Sequence, residues 1–147
     1  ADIAEWEGNT ELKTTCLQQF LQEAGKPEYA GMYNKYLILL YADEWNDPGT
    51  AVRIAEEEIR NRATPGSYNW LAWAHFKNGN LEKAVSFCLN YVVGKTGEPE
   101  TLFRAAMILS ADGRKKEAKE LLMICKDSAF ELGPVVTGKI EAELKSL

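Results

Sequence analysis

The sequence is poor in residues that do chemistry. It holds one histidine, His75, and three cysteines, Cys16, Cys88 and Cys125, with no Cys-x-x-Cys pair and no Cys/His cluster to make a zinc site. A serine nucleophile would depend on that single histidine, and the surroundings of Ser67, Ser86, Ser110 and Ser128 do not resemble a nucleophile elbow. Gly94-Lys95-Thr96 lacks the upstream glycine of a phosphate loop, since Leu89 stands there, and the preceding residues read as helix. No apolar run approaches the roughly 20 residues of a membrane-crossing helix. With 17 Lys and Arg against 22 Asp and Glu, a net charge of -5, a continuous basic stripe for nucleic acid or an anionic membrane surface is also missing. The run Arg114-Lys115-Lys116 leads into Glu117 and Glu120 and reads as a solvated helix start. Enzymatic chemistry, a cofactor, a metal, a nucleic-acid partner and membrane insertion are therefore not expected.

What is present is helical hairpin pattern. At 147 residues with 46% apolar and 27% charged residues, the chain can bury one continuous core. Its clearest stretch runs from Tyr68 to Tyr91. Thr64-Pro65 signals a helix start, and Tyr68, Leu71, Ala72, Ala74 and His75 then recur on one face. Asn78-Gly79-Asn80 stops that helix and caps another, striped by Leu81, Ala84, Val85, Cys88, Leu89 and Tyr91 or Val92. So short a turn makes the two antiparallel.

The hairpin repeats. Ala105-Ala106 answers Leu71-Ala72, Asp112-Gly113 answers Asn78-Gly79 and Glu117-Ala118 answers Lys83-Ala84, each 34 residues on. Tyr68, Leu71, Ala72, His75, Ala84 and Cys88, and then Leu102, Ala105, Ala106, Leu109, Ala118 and Leu122, fall at the pattern positions of a 34-residue helix–turn–helix unit. In this the chain resembles the tetratricopeptide repeat family. The family's proline is displaced by about three residues, to Pro65 and Pro99, where each opens the following helix.

Upstream, residues 1–6 read as the end of a helix stopped by Gly8 and capped anew at Asn9 or Thr10, and residues 10–24 as the second helix of a partial unit. A very apolar helix is expected from Glu28 to Glu44. Another spans Thr50 to Arg62, with Ala51, Ile54, Ala55 and Ile59 inside and Arg53, Glu56, Glu57, Glu58 and Arg60 outside. Ala51 answers Ala84 at an offset of 33, a slip placed in the turn. Leu132-Gly133-Pro134 starts a final helix with Val135, Val136, Ile140 and Leu144 facing inward. The expected architecture is all-α: one domain, residues 1–147, forming a right-handed α-solenoid of about three stacked antiparallel hairpins. The units are 28–62, 65–94 and 99–127, with a partial repeat at 1–26 and a capping helix at 133–147.

The resemblance implies that the first helix of each hairpin lines a concave groove for a peptide or helix of a partner protein. Its groove positions fall on Lys35, Tyr36 and Leu39; on Asn69, Trp73, Phe76 and Lys77; and on Phe103, Arg104, Met107 and Ser110. The same aromatic side chains could instead pack between neighbouring first helices. The family's carboxylate clamp is not matched, because Leu39 and Trp70 stand where Asn is needed. The alternative is a scaffold that self-associates, as a homodimer or within a longer array, through its ends at Trp6, Leu12 or Val135. An odd cysteine count mildly favours a reducing compartment, while a removed signal peptide would place the chain outside the cytoplasm, so localisation stays open.

Overall fold

The computed structural model describes residues 1–29 and 31–147, and it is helical with no strand among those residues. Helices α1 (Asp2–Trp6) and α2 (Thr10–Ala24) come first, followed by a 3₁₀ turn at Pro27–Tyr29. Then come α3 (Asn34–Leu39), α4 (Pro48–Asn61), α5 (Pro65–Lys77), α6 (Leu81–Tyr91), α7 (Pro99–Ala111) and α8 (Lys115–Asp127). The last helical stretch, α9 (Ala129–Ser146), is broken at Gly133 (φ 74°, ψ 170°), so its main run opens with Pro134. None of these helices is long and apolar enough to cross a membrane.

Helix ends follow from local chemistry. The side chains of Asn9, Asp47, Thr64 and Asn80 accept from the amides of Leu12, Thr50, Ser67 and Lys83, and Pro48, Pro65 and Pro99 stand in first turns where no amide is missed. At the opposite ends Gly8, Gly79 and Gly113 take φ values of 71°, 77° and 80°. In each case the next amide returns five residues: Asn9 to Ala4 (2.7 Å), Asn80 to His75 (2.9 Å) and Arg114 to Leu109 (2.9 Å). One left-handed cap thus turns the chain three times.

Across two of these turns α5 packs on α6 and α7 on α8. The series α3, α5, α7, α9 touches neighbour to neighbour, and α4, α6 and α8 each meet the helix that follows. Close approach is allowed by fully buried small residues, among them Ala51, Ala55, Ala72, Ala84, Ala106 and Ala118, while Ile38, Ile108, Leu109, Leu122 and Ile140 fill the space between.

Three expectations are corrected, and the one-residue slip expected in the first turn is traced to its residues. Within the stretch expected to be helical from Glu28, Ala30 lies outside the described residues and α3 begins only at Asn34, because tight turns (Met32 N to Tyr29 O, Asn34 N to Gly31 O) hold the chain first. Glu58 is not on the outer face with Glu56 and Glu57. It is 4% exposed and accepts from Asn34 Nδ2 (2.8 Å) and from Arg62 Nε and Nη2 (3.2 and 2.9 Å), the donors a buried carboxylate requires. On α6, Leu89 and Tyr91 are exposed and Val92 is buried in their place; the Tyr91 ring instead stacks on Tyr68, 4.0 Å between centroids. Finally, sixteen residues separate Lys35 from Ala51, where fifteen separate Asn69 from Ala84 and Phe103 from Ala118. The extra residue is absorbed in a π-helical turn at Leu40–Glu44, closed by Trp45 N to Leu40 O (3.0 Å), and in Asn46 at φ 50°.

Candidate functional site

The eleven groove positions do not share one surface. Lys35, Tyr36 and Leu39 on α3 and Arg104 on α7 line a cleft of about 670 Å³. Asn69, Trp73 and Phe103 are buried between helices. Asn69 Nδ2 donates to the Thr101 carbonyl (3.1 Å), tying α5 to α7. Trp73 donates through Nε1 to both oxygens of Asp43 (3.1 Å each), and Lys77 Nζ reaches the same carboxylate (2.9 Å) while lying 5.1 Å above the indole. Phe76 packs half-buried against Trp73 and Met107 is half-buried against the core. Ser110 bonds the Glu143 carboxylate on α9. The middle hairpin therefore supplies packing, and none of its residues lines the cleft.

Leu40, Asp43 and Glu44 and, on α7, Glu100 continue the lining of the cleft, and the other wall comes from regions the sequence presents as ends: Trp6 on α1, Leu17 and Phe20 on α2, and Val135 and Val136 on α9. Helix α1 touches α9, and both line the cleft with α3 and α7. Trp6 is 64% and Tyr36 54% exposed, so large apolar side chains stand uncovered at this place. Phe20 meets the edges of Tyr33 and Tyr36 at 5.8 and 6.1 Å. A sequence signal for this wall existed in the apolar residues Ile3 and Trp6, which no hairpin partner accounts for.

The charges around the cleft are tied to one another. Lys13 bridges Glu5 and Glu44, 2.8 Å to each, and Lys139 approaches Glu5 at 4.0 Å. Lys35 and Arg104 converge on Glu100 at 2.8 and 3.6 Å. Burial acts to raise the Glu100 pKa, but the Lys35 hydrogen bond and the Arg104 charge outweigh it and hold the carboxyl below its ordinary value. The hydrogen bond from Lys13 lowers Glu5. For Lys13 itself burial opposes the charge, yet the bonds to Glu44 and Glu5 win and its pKa is raised.

Of the remaining reactive side chains, His75, Cys88 and Cys125 sit away from the cleft. His75 is 6% exposed and stacks on Phe87 at 5.7 Å; burial lowers its pKa, Lys83 adds to this and Glu56 opposes. Burial pushes the Cys88 thiol up to about 12 and Cys125 to about 11, leaving both as protonated core residues. Cys16 is half-buried at the cleft wall. Among the described residues, no three His, Cys, Asp or Glu side chains group as metal ligands. Comparison with protein-family models, curated proteins and solved structures finds no match for this chain.

Proposed function

We propose that the chain is a non-enzymatic protein-interaction module, a tetratricopeptide-like right-handed solenoid of three antiparallel hairpins that holds a segment of a partner protein in the cleft. The helix order, the 34-residue agreement of α5 with α7 in start and length, and the neighbour-to-neighbour contacts of α3, α5, α7 and α9 support the architecture. The observation that carries the function is the uncovered apolar surface of Trp6 and Tyr36, which line a single cleft with Leu39 and Arg104. Soluble monomers rarely leave such surface uncovered without a use for it.

Tyr36→Glu tests this reading. The side chain is more than half exposed, so the fold tolerates the change, whereas Trp73→Glu or Phe103→Glu would place a charge in the core. A partner captured by the wild type and lost by Tyr36→Glu at unchanged melting temperature is the expected result. Retention of the same partner by Tyr36→Glu would overturn it.

Self-association is the second reading, and Met123, Ile124 and Phe130, exposed along α8 and the start of α9, favour it. Its site differs from the cleft, so a mass that falls to that of one chain on Ile124→Lys with Phe130→Lys would select it.

A further inference from the structure

The size and charge of the cleft restrict what it can hold. A helix about 10 Å across that rises 1.5 Å per residue occupies roughly 120 Å³ per residue, so about 670 Å³ accommodates five or six residues. That is one turn and a half lying within the cleft, which is open to solvent on one side, so a parent chain can continue beyond it.

Charge narrows the choice further. Each charged side chain of the lining has an internal partner: Glu5 and Glu44 have Lys13, Asp43 has Lys77 and the Trp73 indole, Lys139 has Glu5, and Lys35 and Arg104 share Glu100. A ligand carboxylate would have to displace Glu100 to reach Lys35 or Arg104, leaving Glu100 unpaired in a partly buried place. A ligand ammonium would have to displace Lys13 or Lys77. Either exchange strands a partly buried charge; Lys139, 59% exposed and 4.0 Å from Glu5, stands in solvent, where a further ion pair contributes little. Apolar surface, by contrast, waits uncovered on Ile3, Trp6 and Tyr36.

We infer that the occupant is a short, uncharged peptide segment of about five or six residues, internal to its parent chain and carried by aliphatic and aromatic side chains. This rests on the reading of the cleft as a peptide site. Glu100 acts as a built-in counter-ion that keeps acidic chain ends out.

The test is selection of a randomised pool of hexapeptides, N-acetylated and C-amidated, on the immobilised full chain, with immobilised Tyr36→Glu beside it. The retained peptides are sequenced and compared with the input. Leu, Ile, Val, Phe and Met enriched on the wild type, with Asp, Glu, Lys and Arg depleted about tenfold, and both effects lost on Tyr36→Glu, are expected. Glu100→Gln should then relax the exclusion of Asp and Glu while keeping the apolar preference. Enrichment of charged peptides on the wild type that Tyr36→Glu abolishes would overturn the inference and leave the peptide site standing. Retention that is the same on both proteins would overturn both.

Discussion

Two ways of turning the chain divide this molecule. At Gly79 and Gly113 the turn is the same to within a few degrees and the same amide bonds close it. The corresponding turn of the first unit carries one residue more and is built from a π-helical segment, Leu40–Glu44. The regular turns deliver helices into a core and leave little else to do. The irregular one delivers two carboxylates to the cleft wall, Asp43 to hold Trp73 and Lys77, and Glu44 to hold Lys13. The regular turns thus serve the core, while the candidate site gathers beside the turn that departs from them, with Glu100 and Arg104 of α7 completing it.

Breaking the regular half should cost most. Leu109, fully buried between α7 and its neighbours, should lose about 2–5 kcal/mol of folding stability on Leu109→Ala, whereas exposed Tyr36→Ala should stay within about 0.5 kcal/mol. Chemical denaturation of both variants checks the contrast, and equal losses would erase it. Next in size, Gly79→Ala and Gly113→Ala meet no atom within 4 Å of the added Cβ, so each pays only the left-handed backbone penalty of about 1–2 kcal/mol. Costs that differ widely between the two would show that the turns are not equivalent.

Legibility in the sequence followed the same division. The boundaries of α5 through α8 were readable because Thr64-Pro65, Asn78-Gly79-Asn80, Pro99 and Asp112-Gly113 are local signals that act within a few residues. Glu58 reads as exposed because a run of three glutamates reads as solvated, and the burial of its carboxylate depends on the distant Asn34 as well as on Arg62. The burial of Trp73, Asn69 and Phe103 was equally out of reach, since a partner-facing and a neighbour-facing side chain share the same periodicity. Lys35, Tyr36, Leu39 and Arg104 were placed by resemblance. Their opposing wall on α1, α2 and α9 depends on where the chain ends meet, which no local pattern records.

Titration sharpens the contrast further. The depressed pKa of His75 means that the folded core keeps the ring neutral where the unfolded chain takes up a proton. Stability should therefore be unaffected above the unfolded value near 6.5 and fall as the pH drops below it toward the folded value. His75→Phe should flatten that slope, measured by denaturant midpoints between pH 7 and 5.

The terminal clasp should respond differently. Glu5, with its pKa lowered from 4.5, contributes above that value and loses its contribution in acid; Lys13, raised from 10.5, contributes below that value and loses it in alkali. Between those limits Lys13→Ala should change global stability by less than about 1 kcal/mol, yet speed amide exchange in α1 and leave α5 to α8 as they were. Uniform acceleration would dissolve the distinction between the halves.

The smallest effect is chemical. With Cys88 and Cys125 held protonated by burial, a thiol reagent should modify Cys16 alone in the native protein and the other two only in denaturant.

The most direct measurement is amide chemical-shift mapping of the full chain titrated with the pool of capped hexapeptides. Shifts confined to Lys35–Glu44, Glu100–Arg104, Trp6 and Val135–Lys139 are the predicted result. Shifts spread along the outer faces of α6 and α8, or none at all, would contradict the assignment of the site to the cleft beside the irregular turn.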